Sequence, residues 1–206
     1  MRIIGFLLAV LITAGLIYIL DTRKLIPAPL GKLLSPQEGL WQNADPVKAG
    51  FDDELRFPDL KGKVEVFIDE RLVPHVFAED DDDAYFVQGY LHAKFRLWQM
   101  EFQTHAAAGR ISEIIGDKAI GYDRTQRRMG MVYGAENALR EMEKDPQIKA
   151  SIDAYTAGVN AYIVSLNSSE LPVEYKLLGY KPEKWSNFKT ALFTKAMTND
   201  LAGYDR

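Results

Sequence analysis

The sequence of 206 residues contains no cysteine. This absence excludes disulfide bonds, a thiolate nucleophile and zinc sites with cysteine ligands, and it permits an oxidising compartment because no thiol can mispair. The sequence also lacks any run of lysine or arginine longer than a pair, and its net charge is -4. Because nucleic acids are bound mainly through clustered positive charge, no nucleic-acid partner is expected.

A long uncharged run occurs at residues 3–20. Its length is near the lower limit for crossing a bilayer, roughly 17 to 25 residues, and exceeds the roughly 7 to 15 of a signal-peptide core. No Ala-x-Ala cleavage motif closes the run. Residues 1–24 are therefore predicted to be a signal anchor or a signal peptide, with the uncleaved anchor favoured. A buried helix of a soluble core is the third interpretation, and positive charges on both sides leave the orientation open.

Prolines and glycines recur through residues 25–60 and interrupt any helical pattern there. This composition predicts a tether with turns. The remainder, residues 61–206, carries most of the patterned sequence. Since 47% of the chain is hydrophobic, it can form one substantial core or part of a larger one.

Local patterns predict both strands and helices. Alternating apolar residues at 63–70 indicate a strand, and Pro74 favours a second extended piece that carries His75. The acidic run at residues 79–83 leads directly into a helical pattern, so helix capping is favoured over a metal site. Further helices are predicted at 131–144, 146–166 and 187–201.

The helix predicted from about Asp82 to Ala108 is apolar around most of its circumference, with one narrow polar stripe. The stripe recurs at steps of three and four and comprises Gln88, His92, Arg96, Gln99 and Gln103. Because buried polar groups need partners, Arg96 and Gln99 are expected to be buried, paired and structural. A lone histidine without metal-ligand spacing favours a structural role for His92 over that of a general base or a ligand.

Two groups of charged residues follow this helix. Arg110 and Glu113 lie three residues apart and are expected to pair on one turn. Arg124, Arg127 and Arg128 form either an anion site or a turn held by ion pairs to the protein's own acids, and the second interpretation is favoured.

An ordered pattern runs through "IDERLVPHVFAEDDDDAYFVQGYLHAKFRLWQMEFQTHAAAGRISEIIG", residues 68–116. Its members include Asp69, Val73-Pro74-His75, Asp83-Ala84, Gly89-Tyr90, His92-Ala93, Arg96-Leu97, Gln99-Met100-Glu101, Gly109-Arg110, Glu113 and Gly116. This pattern resembles the N-terminal signature of the penicillin acylase family of N-terminal-nucleophile hydrolases, and the resemblance covers nearly all of residues 61–206. Ile68 stands where an arginine is usual. Leu72 stands where the turn usually has glycine, which puts the turn's conformation in question because leucine does not readily adopt a positive φ.

The resemblance implies an α+β fold. The segment would be the mostly helical α-chain portion of a four-layer αββα hydrolase fold, with an N-terminal strand or hairpin and a membrane or signal helix. It also implies a periplasmic or otherwise extracytoplasmic precursor, anchored in the inner membrane by residues 3–20, which cuts itself into an α and a β chain. The partner of this chain would be the β chain of the same precursor. The substrates would be small N-acyl compounds such as β-lactams or acyl-homoserine lactones.

By the same resemblance, the nucleophile is a serine at the new N-terminus of the β chain, and its own α-amine takes the hydroxyl proton. That serine lies beyond Arg206, so no catalytic residue is assigned and this segment alone is expected to be inactive. The resemblance also implies a structural calcium in the complete enzyme. Its α-chain glutamate falls just past Arg206, so no metal ligand or other cofactor is assigned within the segment.

The last predicted helix is expected to border the acyl pocket. The positions that match the family's Met-x-x-Arg-Phe pattern are Met197, Asp200 and Leu201. Met197 and Leu201 lie four residues apart on one helical face, which suits an apolar pocket wall, although both also suit an ordinary core. Asp200 replaces the arginine, so a preference for penicillin G is not assumed. The matched signature residues His75, Arg96, Gln99, Arg110 and Glu113 are expected to be structural.

A second class of function stays open, that of a membrane-tethered, non-catalytic helical module that binds another protein. A Gly-Ser or equivalent processing junction beyond Arg206, followed by a long β-rich segment, distinguishes the hydrolase from this module.

Overall fold

The computed structural model describes residues 2–22, 28–31, 39 and 54–203. Most of the predicted tether at residues 25–60 lies outside the described residues. The elements are α1 (Arg2–Asp21), β1 (Glu65–Ile68), β2 (Pro74–Phe77), α2 (Asp81–Ala108), α3 (Ser112–Ile115), α4 (Ile120–Arg128), α5 (Met131–Met142), α6 (Pro146–Ser165), α7 (Val173–Leu178) and α8 (Asn187–Ala202), with a 3₁₀ turn at Asp117–Ala119. The predicted mostly helical chain with one hairpin and an apolar N-terminal helix is confirmed.

Helix α1 is exposed along its apolar length. By length and composition it can cross a membrane, and a signal sequence meets the same criteria. A helix of a soluble core would bury one face against its neighbours, whereas none of the apolar window of α1 is buried. Among the described residues, nothing covers α1 as the neighbours of a core helix would.

The start of α2 is held by the acidic run that precedes and enters it. Asp80 is the N-cap residue, and its side chain accepts a hydrogen bond from the amide of Asp82 at 2.9 Å. The buried carboxylate of Asp83 accepts hydrogen bonds from the amides of Lys61 and Gly62, both at 2.9 Å. The Lys61 ammonium group pairs with Asp80 and Asp82. The prediction that these acids cap the helix is confirmed, and they also fix the preceding loop.

Helices α2 and α6 cross with their backbones in contact. A Cβ atom on Gly89 would lie 2.2 Å from the carbonyl oxygen of Tyr155, and one on Gly158 would lie 1.9 Å from the carbonyl oxygen of Phe86. Because neither glycine has a side chain, the helices approach more closely than any larger residue permits. The main core cluster flanks this crossing and comprises Ala93, Leu97, Val159, Tyr175 and Trp185.

A second cluster joins α2 and α5 to α8. Its buried members are Ala107, Ala108, Ala135, Ala191 and Leu192. Four of these five side chains are single methyl groups, so the three helices also pack closely here. This cluster brings the last predicted helix against the C-terminal half of α2.

The predicted second extended piece pairs with the first strand in an antiparallel hairpin. The Asp69 carboxylate accepts hydrogen bonds from the amides of Arg71 and Val73, both at 2.9 Å. The turn places Leu72 at a φ of 62°, in the left-handed region that favours glycine. The conformation questioned from the sequence is therefore adopted by leucine, at a cost of roughly 1–2 kcal/mol.

Leu72→Gly is expected to stabilise the hairpin by about 0.5–1 kcal/mol. Relief of the left-handed strain exceeds the additional entropy that glycine loses on folding, which is about 0.5–1 kcal/mol. Hydrogen–deuterium exchange of the hairpin amides should slow several-fold. Leu72→Ala is the control, because alanine keeps the Cβ atom and hence the strain. Equal protection in the two variants would contradict the strain argument.

Gly158→Ala is expected to prevent folding of the region. Its new methyl group would collide with backbone, which cannot move aside as a flexible side chain could. Gly121→Ala is the matched control, because Gly121 also lies in a helix and a Cβ atom there meets nothing within 4 Å. The control should fold normally and gain up to about 1 kcal/mol from helix propensity. Soluble yield and circular dichroism measure both outcomes.

Candidate functional site

A cavity of about 240 Å³ lies where α2, α4, α5 and α8 meet. Its lining residues are Gln103, Ala106, Ala107, Tyr122, Gln126, Met131, Phe193, Ala196, Met197, Asn199 and Asp200. We call it the α8 cavity. The described lining contains apolar side chains, amides and one carboxylate, but no serine, threonine or histidine. Such a wall suits binding of an apolar group and supplies no pairing of an aliphatic hydroxyl with an imidazole base.

Two of the three residues predicted for the acyl pocket line this cavity. Met197 and Asp200 do so, whereas Leu201 is 80% exposed and outside the lining. Met197 is 49% exposed, so neither Met197 nor Leu201 is an ordinary core residue in the described chain. Phe193 and Ala196, which the sequence-based prediction missed, also line the cavity. Phe193 lies three residues before Ala196 and four before Met197, which are the spacings of one helical face.

The N-terminal end of α8 is tied to α6 by side-chain hydrogen bonds. The Asn187 amide group donates to Asp153 and accepts from the Thr156 hydroxyl group, both at 2.6 Å. Just before the helix, the Trp185 amide donates to the Asn160 side chain at 2.8 Å, and the Asn160 side chain donates back to the Trp185 carbonyl at 3.1 Å. These bonds hold the start of α8 against the helix that crosses α2.

A buried acid of α2 connects the same region to the chain that precedes α8. Glu101 is 1% exposed. One of its carboxylate oxygens accepts a hydrogen bond from the Glu183 amide at 2.7 Å, and the other accepts one from the Tyr175 hydroxyl group. Burial, followed by the nearby Glu101 charge, raises the pKa of Tyr175, so the phenol stays protonated as the donor. The Lys189 Nζ atom lies 3.7 Å from the Glu101 carboxylate.

The carboxylate of Glu183 forms ion pairs with two cationic side chains. Its oxygens lie 2.7 Å from Arg110 and 2.9 Å from the Nζ atom of Lys189. Arg110, followed by Lys189, lowers the pKa of Glu183 to about 2. Arg110 also binds Glu113 through its Nε and Nη2 atoms, so the predicted Arg110–Glu113 pair is confirmed and forms part of a larger network.

A possible metal cluster overlaps this network. Donor atoms of His105, Glu113 and Glu183 lie within 4.8 Å of one another. Arg110 already bridges both carboxylates, and Lys189 pairs with one of them. A divalent cation would have to displace these charges, so the arrangement fits an ion-pair network rather than a metal site.

The polar stripe of α2 differs from the prediction. Arg96 and Gln99 pair with each other at 3.0 Å, but both are exposed in the described chain, so the prediction that they are buried is wrong. The buried residues of α2 lie on its other side, towards α6 and α8. In addition, the helix is kinked at Arg96, where φ is -141° and ψ is 18°. The sequence pattern identified the stripe but not which side of the helix would be covered.

The remaining predicted positions have local partners. His75 lies exposed on β2, with its Nε2 atom 3.4 Å from the Asp69 carboxylate. The Nδ1 atom of His92 lies 3.1 Å from the hydroxyl group of Tyr155, and burial lowers the pKa of His92. His92 also lines a cavity of about 530 Å³. Arg124, Arg127 and Arg128 lie in helix α4 rather than in the predicted turn. Arg127 donates a hydrogen bond to the carbonyl of Gly109 at 2.9 Å and so holds the end of α2 through its backbone.

Comparison with known protein families identifies the family of this chain. The model of the family described as penicillin amidase matches residues 63–206. The chain belongs to the penicillin amidase family. The match includes the hairpin, the crossing of α2 and α6, and the helix that borders the α8 cavity.

Curated relatives of the penicillin amidase chain are acylases. It is 39% identical over 131 residues to penicillin acylase 2 proenzyme of Pseudomonas sp. (strain SE83), covering 64% of this chain and 16% of that protein. It is 32% identical over 130 residues to acyl-homoserine lactone acylase QuiP of Pseudomonas syringae pv. syringae (strain B728a), covering 63% and 15% respectively. The chain thus spans about a sixth of the length of these relatives.

A solved structure shows the same fold. The chain is similar to thermostable penicillin G acylase from Alcaligenes faecalis, with a TM-score of 0.61 and 26% identity, covering 70% of this chain and 76% of the solved chain. The large covered share shows that the solved chain is short, unlike the precursor relatives. The penicillin amidase chain therefore matches the α-chain region, and its predicted assignment to the N-terminal-nucleophile hydrolase fold is confirmed.

Proposed function

We propose that the chain is the α-chain region of an exported, self-processing amide hydrolase that removes the acyl group of N-acyl substrates such as β-lactams or acyl-homoserine lactones. The observation that carries this proposal is the family match over residues 63–206. Similarity to penicillin and acyl-homoserine lactone acylases supports both substrate classes.

In the proposed reaction, this chain helps to bind the acyl group of the substrate, and the β chain supplies the catalytic serine. A serine at the N-terminus of the β chain attacks the amide carbonyl, and its own α-amine accepts the hydroxyl proton. The C–N bond of the amide then breaks, and the leaving amine takes up that proton. Water hydrolyses the acyl-serine ester, which releases the carboxylic acid and restores the serine. The α8 cavity contributes a wall for the acyl group through Met197 and Phe193, with Asp200 at its edge. Because like charges repel in a partly desolvated site, Asp200 disfavours an acyl group that itself carries a carboxylate.

The proposed partner is the β chain of the same precursor. Large apolar side chains are exposed in the described chain at positions that a soluble surface rarely leaves open, with Phe67 at 64%, Phe77 at 63%, Tyr133 at 69% and Leu201 at 80%. Packing of a second chain would cover such residues. The exposure of Arg96 and Gln99 fits the same explanation, because a partner would then supply the cover that α2 lacks on that side.

Residues 1–24 are proposed to remain as an anchor in the inner membrane, with residues 25–60 as the tether to the folded part. The exposed apolar surface of α1 supports this arrangement, since it has no protein partner among the residues described. The proposed structural calcium belongs to the complete enzyme. The one described cluster of histidine and acids does not fit it, because calcium prefers oxygen ligands whose charge is not already neutralised.

The second candidate is a membrane-tethered binding module without catalysis. The exposed apolar side chains and the absence of histidine and serine from the described lining of the α8 cavity are compatible with it. The family match favours the hydrolase.

The first test is maturation of the protein encoded by the complete gene. Mass spectrometry should detect two chains, and the second should begin with serine. Replacing that serine by alanine should leave one unprocessed chain without amidase activity. A wild-type product that stays as one chain and behaves like the alanine variant would support the binding module instead.

Met197→Ala in the complete enzyme is expected to change the preference among acyl chain lengths. Removing the side chain enlarges the cavity, and each methylene contact contributes about 0.8 kcal/mol, so the ratio of kcat/KM for long and short acyl groups should shift about fourfold for each methylene that the larger cavity accommodates. Met129→Ala is the matched control, because Met129 is similarly exposed but does not line the cavity. Identical chain-length profiles for the two variants would remove Met197 from the binding site.

A further inference from the structure

We infer that Lys189 is a positioning residue that sets the placement of α8 and thereby the acyl preference of the α8 cavity. This inference rests on the proposed function. It assigns a specificity role to a residue that lies outside the cavity lining, in the ion-pair network that joins α2 to the start of α8.

The fully buried contacts of α8 with its neighbours are mostly with alanines, and larger, partly buried side chains such as Phe188 and Leu139 pack around them. The buried cluster between α2, α5 and α8 consists of alanines and Leu192. Apolar burial is non-directional, and methyl groups form shallow ridges that set the distance between helices better than their rotation or axial register. A charge contact at one point of α8 would therefore help to fix which of its residues face the cavity.

Lys189 supplies ion-pair contacts at such a point, although its Nζ atom makes no hydrogen bond with the described residues. Its side chain is 10% exposed and lies between two acids, with Nζ 2.9 Å from the Glu183 carboxylate and 3.7 Å from that of Glu101. The ammonium group also lies 5.6 Å from the centre of the Trp185 ring. A charge this deeply buried is stable only when its partners stay in place, so displacement of α8 is opposed.

The contact between Lys189 and Glu101 joins two helices, α8 and α2, that both line the cavity. Glu101 lies on α2, two residues before the lining residue Gln103. Lys189 lies on α8, eight residues before Met197, which at 1.5 Å per residue is about 12 Å along the helix axis. Because each helix is continuous between these positions, a shift at Lys189 moves Met197 and Asp200 relative to Gln103.

The other anchor of α8 cannot replace this function. Asn187 ties the helix start to α6 through Asp153 and Thr156. Helix α6 supplies no residue to the described lining of the α8 cavity. Only the contact of Lys189 with Glu101, within the network described here, links α8 by charge to the helix that forms the facing wall.

The test uses the complete, processed enzyme and compares Lys189→Met with Lys189→Arg. Methionine keeps the length and helix propensity but removes the charge, whereas arginine keeps the charge. Lys189→Met is expected to change the ratio of kcat/KM between short and long acyl substrates at least fivefold, mainly through KM, and Lys189→Arg should restore much of the wild-type ratio. Lys195→Met is the matched control, because Lys195 is exposed on the same helix and outside the cavity lining.

The outcomes distinguish a positioning role of Lys189 from a purely structural role. Equal loss of activity on all acyl groups, or an unchanged ratio, would overturn the inference. If Lys189→Met does not mature, Glu183→Gln is measured in its place. A changed ratio in that variant supports the inference, and an unchanged ratio or failed maturation overturns it. A wild-type enzyme that neither matures nor hydrolyses N-acyl substrates would instead reject the proposed function.

Discussion

The backbone contact between α2 and α6 is the constraint on which the rest of the folded part depends. Gly89 and Gly158 let each helix touch the carbonyl groups of the other, so their separation is set by main-chain atoms. The main core cluster forms on the flank of this crossing. Helix α6 then offers Asp153, Thr156 and Asn160 as fixed partners for the start of α8. The position of the last helix thus depends on the close crossing of α2 and α6.

Hydrogen bonds and ion pairs then fix the relative positions of the packed helices. Glu101 is almost fully buried, and its two oxygens hold a phenol, a backbone amide and a lysine from three later segments. A buried carboxylate of this kind is stable only with all its partners, so it selects one arrangement of α7, α8 and the chain between them. The network lies near the α8 cavity, and this proximity is the basis of the proposed link between the placement of α8 and acyl preference.

Several large apolar side chains are exposed on the surface of the described chain. Large apolar residues on the hairpin and α8, together with the uncovered stripe of α2, are typical of a face that another chain covers. Membership of the penicillin amidase family agrees with this surface, because the chain spans only about a sixth of its curated precursor relatives. The strained Leu72 turn lies at one end of the exposed hairpin, where the family pattern usually has glycine.

The sequence by itself determined the longer helices, the extended pieces of the hairpin and the family resemblance. Helical periodicity and the acidic cap of α2 predicted α2, α5, α6 and α8 closely, because these signals are local. It also predicted that Met197 and Asp200 line the same pocket. Only the tertiary structure decided that Leu201 lies outside the cavity, that Arg96 is exposed, and that Glu101, Glu183 and Lys189 meet. Those facts depend on which side of a helix is covered and on contacts between residues as much as 88 positions apart, which no local pattern encodes.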